Sequence, residues 1–323
     1  MIARRGLLLA TGALLAPSGV SAQPGGKAYR IGLLGFDLRK DSVVQPIWDA
    51  AVEDMVHRGY VEGRNLTYVP YGDARDEKEA FHGAFDLASQ KVDLIVVAGD
   101  DFIVRGAMRA TTVPLLSFGT WDPVRSGLVA SLARPSGNLT GVSTFGPEIV
   151  LKRVRLICEA FGKPQRIAYL CRSYPTNLTV ATAVAAQRAQ LCIAQAGSLD
   201  QLDEAFEAMA RYRPDVLVVE QSATYFLHLD RIAVLATRHR LPAIGDGRPF
   251  AKEGLLMGYG PDFVDLAHKI ARQADRILKG AKPGDLPFER ATKFELVINL
   301  KTAETLGLTI PPSVLLQATE VLT

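Results

Sequence analysis

The stretch "DLIVVAGDDFIVRGAMRATTVPLLSFG" (93–119) decides how the rest of the chain is read. Its first seven residues are an apolar run ending at Gly99, and a second run, "VPLLSFG" (113–119), closes it. Neither run alternates apolar with polar, so each reads as a strand buried on both faces. Between them, the residues from Phe102 onward read as a helix, with Asp100 or Asp101 placed to cap its N-terminus. Strand, helix and strand of these lengths form the repeating unit of a parallel sheet.

Working outward, the same alternation recurs. "YRIGLLG" (29–35) and "LTYVPY" (66–71) are strands, separated by the helical "SVVQPIWDAAVEDMVHRG" (42–59) and followed by the helical "EKEAFHGAFDLASQK" (77–91). In the first helix Val44, Ile47, Trp48, Ala51, Val52 and Met55 share one face. The pattern then restarts with "RIAYLC" (166–171), "LCIAQA" (191–196), "DVLVVE" (215–220) and "PAIGDG" (242–247), with helices expected over 176–189, 200–211 and 225–240. The restart follows "ARPSGNLTGVSTFGP" (133–147), whose Gly, Pro, Ser and Asn content reads as a crossing between domains. Beyond it lie a strand (254–260), a long helix (about 262–279), the strand "FELVINL" (294–300) and a short helix. The fold class is therefore α/β, with two doubly wound parallel-sheet lobes whose strand carboxyl ends face a shared cleft.

The first 22 residues read as an export signal: Arg4 and Arg5, the apolar "GLLLATGALLA", then "VSA" ending at Ala22. The apolar run is too short to span a membrane. Cleavage there removes two basic and no acidic residues, so Lys+Arg falls from 37 to 35 against 34 Asp+Glu and the net charge falls to +1. A near-neutral chain without a basic stripe is not a nucleic-acid binder. The expectation is a monomer in the periplasm, exported by the Sec or twin-arginine route. Of the three cysteines, Cys171 and Cys192 fall in consecutive strands, but buried inert thiols are the better reading.

Catalytic signatures are missing. There is no G-x-S-x-G elbow, no phosphate-binding G-x-G-x-x-G and no Walker sequence. The five histidines fall in helical segments without metal-ligand pairing. Asp100 and Asp101 are sequence neighbours, so in extended chain they point to opposite sides and make no facing acid/base pair. The expectations are no enzyme, no cofactor and no metal.

Several longer phrases carry a resemblance. "MVHRGYVEGRNL" (55–66), "WDPVRSGLVASLARPSGNLTGVS" (121–143), "HRLPAIGD" (239–246) and "RILKGAKPGDLPFERATKFELVINLKTAETLGLTIPP" (276–312) are similar to the ABC-transporter periplasmic substrate-binding proteins of the tryptophan-binding-like group. The likeness implies a type I periplasmic-binding fold with a three-segment hinge. It implies capture of a small solute between the lobes and delivery to an ABC transporter permease in the membrane. The expected division is lobe 1 over 28–145 plus about 259–285, lobe 2 over 146–258, and a C-terminal strand and helices (286–323) whose lobe is left open. A ligand sensor for a membrane receptor, or an exported α/β enzyme, are the alternative readings.

In such proteins the loops after the strands touch the ligand. From the first lobe these are Asp37, Asp100, Asp101 and Thr120; from the second, Ser173, Tyr174, Glu220, Gln221, Asp246 and Arg248. Asp122 belongs to the family string and reads as a turn former. Relatives that bind amino acids or other carboxylates often carry Thr, Ser or Gly where this chain has "GDDF". Like charges about 4 Å apart cost on the order of 4 kcal/mol at an effective dielectric near 20. The acidic cleft is therefore expected to favour a cationic, amine-bearing or polyhydroxylated solute over a simple carboxylate, with Arg172 and Arg248 as the opposing charges.

Overall fold

The computed structural model describes residues 27–35, 45–135, 137–144, 146–172 and 179–323. The expected export signal, Asp37, Ser173 and Tyr174 lie outside them.

The first lobe is built on β1 (Tyr29–Gly35), β2 (Leu66–Gly72), β3 (Leu94–Ala98), β4 (Leu115–Thr120), β5 (Leu139–Ser143) and the short β11 (Glu289–Arg290). These form one sheet in the order β11-β5-β4-β3-β1-β2, parallel throughout. The second lobe uses β6 (Arg166–Cys171), β7 (Gln190–Gln195), β8 (Val216–Val219), β9 (Ala243–Gly245), β10 (Met257–Pro261), β12 (Phe294–Asn299) and β13 (Glu320–Leu322). Its order is β13-β12-β10-β9-β8-β6-β7, and only the β10–β12 pair is antiparallel. The winding 2-1-3-4-5 of the first sheet is repeated as 7-6-8-9-10 in the second. In each, the strand order reverses beside the first strand, which opens a crevice at the carboxyl ends of β1 and β3 and of β6 and β8.

Helices cover both faces, as near-continuous apolar strands require. In the first lobe α2 (Glu77–Ser89) and α3 (Asp101–Ala110) pack on one face. On the other lie α1 (Gln45–His57) and α10 (Phe263–Leu278), packed against each other. The second lobe is covered by α4 (Pro147–Phe161), α5 (Thr179–Ala186), α11 (Leu300–Leu306) and α12 (Pro312–Leu315) on one side. Its other side carries α6 (Leu202–Tyr212), α7 (Ala223–Phe226), α8 (Leu229–Arg238) and α9 (Arg248–Lys252).

The chain passes between lobes three times: after β5, after β10 and after β11. Two details differ from the sequence reading. "LTGVS" within the expected crossing is β5, buried at every position, so the crossing shrinks to the few residues before α4. Its glycine and small residues serve close packing: a Cβ at Gly141 would lie 2.3 Å from the Ser117 carbonyl oxygen on β4. The return to the first lobe comes at Asp262 rather than 259, because Met257–Pro261 pairs with β9 and β12 in the second sheet. Asp262 caps α10, accepting from the N–H groups of Val264 (3.0 Å) and Asp265 (3.1 Å).

Cys171 faces Gln195 in the β6–β7 register while Cys192 faces Ala168, an offset of three positions. At about 3.3 Å per residue the two cysteines are roughly 10 Å apart along the strands, beyond disulfide reach. All three cysteines are free.

Candidate functional site

The loops after β3 and β8 meet across the cleft. Asp100 sits at the N-cap position of α3, yet its carboxylate makes no bond to that helix. It turns instead to the other lobe, accepting from the Ala223 N–H (2.9 Å) and the Ser222 hydroxyl (3.0 Å). The residue expected to cap its own helix therefore holds the first turn of α7, 122 to 123 positions away in sequence. Ser222 also caps α7 through the Thr224 N–H (3.2 Å).

Two more links cross between the lobes. The Arg172 guanidinium, just after β6, lies 3.9 Å from the ring centre of Phe102 on α3 and donates to the Arg75 carbonyl oxygen (3.3 Å). Gln221 donates to Thr144 Oγ1 (2.7 Å), the hydroxyl beside the first crossing. An aromatic chain runs beneath them from Phe118 on β4 to Phe263 on α10, then to Phe226 and Phe250, with ring centres 6.4, 5.0 and 5.4 Å apart. Phe118, Phe226 and Phe263, with Ile47, form the apolar floor of a cavity whose rim is Asp100, Gln221 and Ser222.

Three carboxyl groups stand on the loops after β3 and β8, Asp100 alone lining the cavity, and burial raises the affinity of each for its proton. For Asp100, burial is opposed by the Ala223 and Ser222 donors and by the Arg172 charge. Asp101 is pushed up to about 6 by burial, against Ser126 and the Trp121 N–H, and its Oδ1 is buried without a partner. Glu220 is pushed up to about 7, first by burial and then by the Asp100 charge; its Oε2 accepts from the Arg172 N–H at 2.8 Å. Gln221 Oε1 and Arg172 Nε are likewise buried without a partner. Polar atoms in that condition are costly unless something satisfies them.

The remaining sequence candidates sit elsewhere. Thr120 is fully buried, hydrogen-bonded to Ser117, and its carbonyl accepts from Thr144 N–H (3.0 Å), so it braces the first crossing. Asp246 is fully buried in an ion pair with Arg153, whose Nε also donates to the Tyr259 carbonyl (2.7 Å). Arg248 reaches Glu295 (2.9 Å) and Glu320 on the last two strands of the second sheet. Asp122 accepts from the Arg125 N–H (3.0 Å) in the turn after Pro123. Among the described residues no cluster of His, Cys, Asp and Glu is arranged to hold a metal ion, and no helix is long and apolar enough to cross a membrane.

With this geometry in view, comparison with known proteins decides the family. Residues 42–322 match the family model of ABC transporter substrate binding proteins. The chain belongs to that family. A tyrosine-binding protein of Clostridioides difficile is 23% identical over 264 residues, spanning 80% of this chain and 74% of its own length. A conserved domain protein from Vibrio cholerae superposes with a TM-score of 0.82 at 24% identity, over 91% of this chain and all of the other. The ABC domain of Streptococcus pneumoniae in complex with L-Trp gives 0.78 at 23%, over 92% of this chain and all of the other. These structural likenesses show the fold, two α/β lobes around a cleft.

In a substrate-binding protein the residues that tie one lobe to the other matter as much as those that touch the solute. Arg172 was legible as a charge near the cleft. Phe102, Ser222 and Thr144 were not, because their partners lie 70 to 122 positions away and no local pattern marks them. The one available signal was aromatic: Phe118 lies near the end of a strand, Phe226 follows the loop after "VLVV", and Phe263 follows a crossing.

Proposed function

We propose that this protein captures an amine-bearing solute with an apolar body in the periplasm and hands it to an ABC importer permease, acting as a monomer and not as a catalyst. The observation that carries the reading is two buried carboxyls from opposite lobes, Glu220 feeling the Asp100 charge, beside a cavity that Asp100 rims and Phe118, Phe226 and Phe263 floor. A cation placed between the two carboxyls relieves the mutual repulsion that each feels from the other and from burial. The phenylalanines suit the apolar part, and offer their faces to a cation as well. The tyrosine-binding and tryptophan-bound relatives are consistent with this reading, since an amino acid offers an ammonium group and an apolar side chain together.

Of the sequence candidates, the proposal keeps Asp100, Asp101, Glu220 and Gln221 as solute contacts. It gives Thr120, Asp246 and Arg248 to the framework, on the strength of the partners they already hold. Lobe closure is the working motion, with the three crossings as hinge. Among the described residues nothing assembles a nucleophile, a base and an oxyanion site, which favours binding over turnover.

A thermal-shift screen of matched pairs tests the proposal: each amine against the same skeleton with the amine replaced by hydrogen or hydroxyl. The amine member should give the larger shift, and Glu220→Gln should erase the difference. Equal shifts within pairs, or large shifts from carboxylates lacking any amine, would sink it.

A further inference from the structure

Beneath α1 the first lobe holds an apolar cavity of about 60 Å³, separate from the interlobe cavity but sharing Ile47 and Phe118 with it. Its roof is the first sheet. Leu33 on β1 and Val96 on β3 are register partners in two neighbouring inner strands. Both point to the α1/α10 layer, where Ile31, Leu94 and Ala98 are 2%, 0% and 6% exposed, yet Leu33 and Val96 remain only half-buried. Central strands of a covered parallel sheet are ordinarily sealed on both faces.

The reason is the opposing surface. Ala51 of α1 and Ala267, Ala271 and Ala274 of α10 face this space, and four methyl groups do not reach the sheet. The larger side chains of the lining, Trp48 and Met55 of α1 and Ile270 of α10, bound the space at its sides and leave the alanine stretch open. A gap here forfeits dispersion contacts on both sides, and a dry apolar gap of this kind accepts apolar guests. The lining runs from Ile47, at the cleft, to Met55, two turns deeper, a path of about 12 Å at the helical rise.

We infer that this cavity is a subsite for the aliphatic part of the captured solute, a branch of three or four carbons entering past Ile47 and Phe118. The inference rests on the proposed amine reading only for the identity of the head; the pocket is defined by its own lining. Specificity for chain length would then be set inside one lobe, by the α10 alanines, while the head group is read between lobes.

Two measurements test it. Crystals of the mature protein under xenon pressure should show a xenon atom between α10 and the Leu33–Val96 pair; an empty cavity would overturn the assignment. NMR titration with straight-chain primary amines from ethyl to butyl, and with the matching alcohols, should give about fourfold tighter binding per added methylene. Ala271→Leu, which fills the space, should flatten that series, and Val96→Ile serves as a milder filler if the first variant folds poorly. If the alcohols follow the same slope and amines bind no better, the subsite stands and the amine reading falls. If amines bind but the slope is flat, or survives in both filled variants, the subsite falls and the amine reading stands.

Discussion

Replacing Asp246 by Asn distinguishes a framework residue from a solute contact, and the structure gives the size of the effect. The Asp246 side chain is 0% exposed and its partner Arg153 is 1% exposed, so neither charge has solvent to turn to. Removing the negative charge leaves a guanidinium buried with only neutral acceptors, the new amide oxygen and the Tyr259 carbonyl (2.7 Å). Breaking a buried pair from one side costs about 3–5 kcal/mol. At about 2–4 °C per kcal/mol for a chain of this order of size, the melting temperature should fall by roughly 10 °C. No repacking relieves it, since Gly260 is already pressed on the same carboxylate: a Cβ there would meet Asp246 Oδ1 at 2.4 Å. Differential scanning calorimetry measures the loss, and calorimetric titration with the best solute from the screen, well below the melt, measures binding. Affinity should change less than threefold. An unchanged melting temperature with a tenfold loss of affinity would refute the reasoning and return Asp246 to the cleft.

Three other outcomes follow from the same geometry. The carboxyls of Asp101 and Glu220 sit near 6 and 7, above the ordinary carboxylate value, so the folded protein holds protons that the unfolded chain has released; ligand-free stability should fall as pH rises from about 4 to 7, while affinity for an ammonium solute rises over the same span and levels off above it, as pH-dependent melting and titration will show. Arg172→Ala removes the stacking on Phe102 and the bond to Arg75, so it should weaken solute affinity about three- to tenfold and enlarge the radius of gyration in solution scattering. Gly146→Ala places a Cβ 1.8 Å from the Trp121 indole at the first crossing, and should destabilise by about 1–3 kcal/mol in urea unfolding.

The fold was legible because its signal is local and repeated. Runs such as "RIAYLC" and "LIVVA" have no polar face, and the helices between them carry one apolar stripe each, so both halves announce a covered parallel sheet. β5 was hidden because "LTGVS" has a glycine and small polar residues where strands usually have bulk; it is a strand because those small residues let β4 approach closely. The candidate site was half legible. Loops after β3 and β8 follow from topology, so Asp100 and Glu220 could be named from the strand ends alone. What Asp100 does could not: a capping aspartate beside its own helix looks the same in sequence whether its carboxylate turns inward or, as here, to Ser222 and Ala223 of the other lobe. Asp246 follows a strand in the same way, but the buried Arg153 that claims it lies 93 positions earlier on α4.

The central claim is that the cleft reads an amine between Asp100 and Glu220. Native mass spectrometry of freshly purified protein, followed by release and identification of whatever is bound, tests it most directly. The account predicts a small solute carrying a basic amine on an apolar body, recovered chemically unchanged after prolonged incubation. A bound solute with no amine, or one converted to product during incubation, would contradict it.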